Sequence, residues 1–169
     1  MSLLKAFFIG LLTLSLSMPL LAENFLSIRA RAPFDATLQE AESLIEGYGY
    51  KLAHVQRCDG GMADFGYKSD FYRILFIGKL DEFRQITANH PQLVPFLPLK
   101  VLIFAENNDT IVSVLNPLML MDSVDDEAVK IQLMRWHSDL SAMLNELQQL
   151  DIQVPEKTEQ LQYETIQIH

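Results

Sequence analysis

The chain has 169 residues, of which 49% are hydrophobic and 21% are charged. This is enough chain for one domain with a hydrophobic core, and the balance excludes a wholly disordered protein. The 22 Asp and Glu against 13 Lys and Arg give a formal net charge of −9. Because such a surface repels phosphate backbones and anionic headgroups, we expect no nucleic-acid partner and no peripheral membrane binding. Cys58 is the one cysteine, which excludes an internal disulfide.

The first 22 residues have the pattern of a cleavable signal peptide. Lys5 gives a positive start, Ala6–Leu16 is an apolar stretch, and Ala22 supplies the small residue before Glu23. A membrane anchor needs about 20 unbroken apolar residues, and serines and a proline interrupt this run earlier. We therefore predict cleavage after Ala22, a periplasmic or secreted mature protein, and no stable membrane span after cleavage. Cleavage there would remove one base, Lys5, and no acid, so the formal charge would change from −9 to −10.

The following part of the chain, residues 23–120, predicts an α+β domain. Residues Phe25–Arg31 alternate as a strand does. Thr37 and Glu40 have the spacing of a capping box, which predicts a helix that starts there and ends near Gly47. Lys51–Gln56 reads as a second strand.

One further strand and a hairpin complete this predicted sheet. Tyr72–Ile77 is apolar on both faces, which indicates an interior strand. A short helix follows and ends before Pro91, and prolines then predict an extended connection. Val101–Ala105 and Thr110–Leu115 predict a hairpin around the four-residue polar loop 106–109.

Residues 121–150 predict one long helix with an apolar seam at 3.5-residue spacing. From Val124 to Leu150 it would span roughly 40 Å, whereas strands cover about 17–20 Å. One sheet would then leave part of the seam uncovered. We therefore expect a homo-oligomer that pairs through this helix, with a kinked, folded-back helix as the alternative. The polar tail, residues 151–169, receives no assignment.

The order of these elements and three sequence runs resemble the domain-of-unknown-function family 302, over about Phe25 to Leu118. The runs are Tyr72–Gly78 (YRILFIG), Leu97–Phe104 (LPLKVLIF) and Asn116-Pro117. The resemblance implies a fold similar to the TATA-box-binding protein: a curved antiparallel sheet of about five strands with helices on one face. It implies no activity. Many members have an Asp-His pair after the second strand, whereas Gly60 follows Asp59 here. The long final helix stands as an addition to the family pattern.

Cys58 is the strongest candidate for chemistry. His54 precedes it by four residues, so the two side chains share a face if the strand continues, and Asp59 and Met62 follow closely. These residue types suit a redox thiol or a soft-metal or haem site. The alternative is a structural cysteine beside an unrelated histidine, because two potential ligands do not make a metal site.

No catalytic motif is present: the chain has no HExxH, no CxxC and no nucleophile elbow. The first functional hypothesis is therefore a non-catalytic binding or accessory module that uses the surface left uncovered by the helices. The second is a thiol or soft-metal redox protein centred on Cys58. No residue pattern favours a hydrolase, and none identifies a cofactor.

Overall fold

The computed structural model describes residues 24–58, 65–66, 71–106 and 109–149. The predicted signal peptide and the polar tail lie outside these residues. The elements are β1 (Phe25–Ala30), α1 (Phe34–Gly47), β2 (Lys51–Arg57), β3 (Tyr72–Gly78), α2 (Leu80–Asn89), a 3-10 helix (Pro91–Phe96), β4 (Leu99–Glu106), β5 (Asp109–Leu115), a second 3-10 helix (Pro117–Ser123) and α3 (Glu127–Gln149). The α+β class is confirmed.

The five strands form one antiparallel sheet in the order β1-β5-β4-β3-β2. β1 and β2 are its edges, so the sheet is open, and β3 is an interior strand as predicted. The hairpin between β4 and β5 is tighter than predicted, because Glu106 pairs directly with Asp109. Arg29 of β1 forms ion pairs with both of these carboxylates. The ion pairs tie the edge strand to the hairpin end.

The start of α1 differs from the capping-box prediction. The helix begins at Phe34, and no side chain caps it. Pro33 has a φ of −57°, which suits entry into a helix, and Phe34 is buried. Thr37 lies inside the helix, where its hydroxyl donates to the carbonyl of Ala32 at 3.3 Å. The connection at Pro95 also differs: it is helical, within the 3-10 segment, rather than extended.

Helix α3 buries its whole described seam within the monomer. The seam residues are at most 6% exposed: Val129, Leu133, Trp136, Leu140, Met143 and Leu147. α3 contacts β1, α1 and the second 3-10 helix, and its 23 residues span about 34 Å. Leu150 lies outside the described residues. Because the seam is already covered, it offers no surface to a second copy. Self-association through α3 stays a prediction, which would use residues of the helix outside the seam, and it is measured by sedimentation.

A polar cluster fixes α3 to one end of the sheet. Asp139 of α3 accepts a hydrogen bond from the Tyr50 hydroxyl at 3.0 Å and pairs with the Lys79 ammonium at 3.1 Å. The Lys79 ammonium also lies 4.4 Å from the centre of the Tyr50 ring. Burial, and then the Asp139 carboxylate, raise the pKa of Tyr50 above its ordinary value. These contacts join α3 to the start of β2 and the end of β3.

Helix α2 packs against α3 through aromatic and polar contacts. The Trp136 indole donates to Glu82 at 2.8 Å, and its ring meets Phe83 edge-on at 5.4 Å. A Cβ atom at Gly78 would lie 2.0 Å from the Phe83 ring, so glycine is required for this close approach. No helix among the described residues has both the length and the apolar character to cross a membrane.

Candidate functional site

The two faces of the sheet differ in how well they are covered. The face under the helices contains the buried strand residues: Ala30, Leu75, Ile77, Leu99, Val101, Ile103, Thr110, Val112 and Val114. The other face, which we call the open face, carries the intervening strand residues. Apart from Gly78 at the end of β3, none of those is buried. The expected arrangement of helices on one face is confirmed.

The strand register orders the open face into three rows that cross all five strands from β2 to β1. The first row is His54, Phe76, Lys100, Leu115 and Phe25. The second row is Gln56, Ile74, Leu102, Ser113 and Ser27. The third row is Cys58, Tyr72, Phe104, Ile111 and Arg29. The centre of the face, on β3, β4 and β5, is therefore mostly apolar and aromatic.

Ring contacts organise the β2-to-β4 side of the open face. Phe76 has the His54 ring 5.8 Å away on one side and the Lys100 ammonium 5.9 Å away on the other. In the third row Tyr72 and Phe104 meet edge to face at 6.1 Å. Rings that stand on a sheet surface offer flat apolar area for stacking, and cations favour the faces of such rings.

The β1 side of the open face carries polar side chains in the second and third rows, beside Phe25 and Leu115 in the first. The hydroxyls of Ser27 and Ser113 share a hydrogen bond of 2.7 Å across β1 and β5. Arg29 forms ion pairs with Glu106 and Asp109, and these contacts raise the pKa of its guanidinium above the ordinary value. In the second and third rows, the apolar side chains of the open face therefore lie mainly on β3 and β4.

Cys58 and His54 both lie on the open face. The Cys58 amide donates to the Tyr72 carbonyl at 3.2 Å, which continues the register beyond β2. The thiol is half-buried. Burial, and then the neighbouring Cys58, raise the pKa of Tyr72. Gln56 separates Cys58 from His54, and four residues of extended strand span about 13 Å. The two groups therefore share a surface but occupy different rows.

The remaining predicted site residues, Asp59 and Met62, lie outside the described residues. Among the residues that the structure does describe, no group of three His, Cys, Asp or Glu side chains is close enough to hold a metal ion. The Cys58 site hypothesis therefore stays a prediction. Sequence reasoning did not single out Phe76, Lys100, Tyr72 and Phe104, although their alternation with buried residues in β3 and β4 was visible.

Comparison with known proteins identifies the family of this chain but assigns it no activity. Residues 26–147 match the family described as Domain of unknown function DUF302. The chain belongs to that family. The match runs through most of α3, so the final helix is part of the family pattern, and its interpretation as an addition was wrong. No curated protein matches this sequence significantly.

A solved structure gives the same result at the level of the fold. It is the crystal structure of an uncharacterized conserved protein DUF302 from Bacillus stearothermophilus, with 19% sequence identity and a TM-score of 0.66. The match covers 75% of this chain and 99% of that chain. The DUF302 fold is therefore shared over nearly the whole of the Bacillus protein.

Proposed function

We propose that this DUF302 protein is an exported, non-catalytic binding module whose open face is the ligand surface. The observation that carries the proposal is the contrast in burial between the two faces. Apolar side chains at the centre of the sheet, such as Ile74, Leu102 and Phe104, are only part-buried. Contiguous exposed apolar surface rimmed by polar groups is typical of binding sites.

The free energy of covering this surface supports the same proposal. Each Å² of apolar area removed from water stabilises the folded or bound state by about 25 cal/mol. The helices supply this cover on one face of the sheet. A ligand that lies on the open face would supply it on the other, and the register gives that ligand a rigid, preorganised surface.

Export is proposed on the sequence of the first 22 residues. The order of a positive residue, an apolar stretch and a small residue favours cleavage after Ala22. Intact mass of the extracytoplasmic protein tests it, and the expected species begins at Glu23. A species that retains Met1, or one found only in membranes, would contradict export with cleavage.

Binding at the open face is tested with the neutral dye Nile red on the mature protein. Leu102→Asp places a charge at the centre of the open face and should abolish the fluorescence increase. Ile131→Asp is the matched control, because Ile131 is a 47% exposed residue of α3, away from the sheet surface. Circular dichroism checks that both variants fold. No dye binding by the wild type, or equal loss in the two variants, contradicts the proposal.

A second candidate function is a thiol protein centred on Cys58, and one observation favours it. The half-buried thiol lies on the open face beside Tyr72 rather than in the core. Thiol titration of the native protein separates the two candidates. Labelling of Cys58 before unfolding, together with metal content or redox behaviour that Cys58→Ala abolishes, supports the thiol function. Labelling only after unfolding rejects it.

A further inference from the structure

The open face has an uneven distribution of charge. Among its described strand positions, the acids are Glu106 and Asp109, and both are bound to Arg29 at the hairpin end. At the opposite end, the first row contains Lys100 and His54 and no acid. The Lys100 ammonium has a long contact of 3.5 Å with the Pro98 carbonyl.

We propose that the ligand is a small, flat aromatic molecule with an acidic group, seated on Phe76 between His54 and Lys100. This inference rests on the proposed binding function of the open face and names its ligand class. The ring of the ligand packs on the outer edge of Phe76 and on the apolar residues of the second row, Ile74 and Leu102. Its acidic group accepts from the Lys100 ammonium.

The distances make these two contacts compatible. Lys100 and His54 lie within 6 Å of the centre of the Phe76 ring, on neighbouring strands to either side. A ligand ring above Phe76 therefore has a cation within reach of a substituent. A charge-assisted contact is roughly twice as strong as a neutral one, and it is stronger where apolar neighbours exclude water.

The net charge of the protein selects for a small anion over a polyanion. With a formal charge of −9 on the full chain, the surrounding field repels a nucleic-acid backbone, whose affinity depends on neutralising many phosphates. A single acidic group needs one local cation. Duplex DNA at physiological ionic strength should therefore fail to bind the open face or to displace a bound aromatic anion.

The experiment compares two dyes on the mature protein. The aromatic anion 8-anilinonaphthalene-1-sulfonate reports the proposed ligand class, and neutral Nile red reports the apolar face alone. Lys100→Met keeps the aliphatic stem and removes the charge, so it should weaken sulfonate binding about tenfold and leave Nile red binding unchanged. Lys130→Met is the control with the same change in net charge, because Lys130 lies on α3 and pairs with Glu127.

The outcomes separate the inference from the function on which it rests. Selective loss of sulfonate binding in Lys100→Met, with Lys130→Met like the wild type, supports the inference. Lys100→Met could instead weaken the binding of both dyes equally, or weaken sulfonate binding no more than Lys130→Met does. In either case the ligand class is wrong and the binding function stands. If the wild type binds neither dye, both are wrong. Phe76→Leu should weaken both dyes, since it removes the aromatic ring that either dye contacts.

Discussion

Leu102 and Ile103 are adjacent in β4, but they face opposite sides of the sheet. Ile103 is fully buried under the helices, whereas Leu102 is only part-buried on the open face. The same strand therefore contributes to the core on one side and to the candidate ligand surface on the other. Apolar character on both faces of a strand does not by itself indicate burial on both faces.

The cover on the helical face comes from α1 and α3. α1 contacts β2, β4 and β5, and α3 contacts β1. Asp139 and Tyr50 then connect α3 to the opposite edge of the sheet. No comparable set of contacts among the described residues covers the open face.

The largest expected effect separates the two faces within β4. Ile103→Ala removes a fully buried side chain and should lower the free energy of unfolding by about 2–5 kcal/mol. Leu102→Ala should cost about 1 kcal/mol, because a part-buried side chain loses less apolar contact. Urea unfolding of both variants measures the difference. Equal losses would mean that the open face is covered in solution.

A second variant tests the connection that holds α3 over the sheet. Tyr50→Phe removes the hydrogen bond to Asp139 and should cost about 1 kcal/mol at pH 7. Because the pKa of Tyr50 is raised in the fold, its neutral phenol stabilises the fold fully at pH values below 10.0, the pKa of tyrosine in the unfolded chain. This contribution is lost as pH rises above that value. Because phenylalanine does not ionise, the variant should lose less stability than the wild type above pH 10.

Urea unfolding at neutral and alkaline pH measures this difference. Tyr48→Phe is the control, since the Tyr48 hydroxyl donates to Glu146 at 2.5 Å on the exposed surface. Above pH 10, the free energy of unfolding of Tyr48→Phe should fall by an amount closer to the fall in the wild type than that of Tyr50→Phe does. Parallel pH profiles for the wild type and Tyr50→Phe would show that the buried phenol does not contribute to the pH dependence.

The smallest expected changes in the free energy of unfolding come from removing one hydroxyl group on each face of the sheet. Thr110 is 1% exposed and donates to the Ala32 carbonyl at 2.9 Å on the helical side. Thr110→Val should cost about 1 kcal/mol. Ser27→Ala on the open face should change the free energy of unfolding by no more than about 0.5 kcal/mol. A larger loss from Ser27→Ala, by the same urea measurement, would contradict the assignment of that hydroxyl to the uncovered side.

Local patterns were sufficient to predict most of the fold. Alternation located β1 and the hairpin, and the apolar run of β3 identified an interior strand. The start of α1 was missed because the spacing of Thr37 and Glu40 imitates a capping box, while burial of Phe34 extends the helix toward Pro33. The seam of α3 was predicted, but its cover was not, since β1 and α1 are distant in sequence.

The candidate site was less predictable for a related physical reason. The alternation of β3 and β4 shows that both faces are apolar, and no local signal says which face the helices cover. His54 and Cys58 were placed on one face correctly, because a period of two needs only strand continuity. The first row, with Phe76 between His54 and Lys100, depends on the register of three strands and required the structure.

Methyl-resolved nuclear magnetic resonance of the mature protein tests the ligand surface most directly. In a titration with 8-anilinonaphthalene-1-sulfonate, we expect shifts in the methyl signals of Ile74, Leu102 and Ile111 on the open face. The buried methyls of Ile103 and Val112, directly across the same strands, should shift little. Shifts confined to the helical side, or none at saturating dye, would contradict the assignment of the open face as the ligand surface.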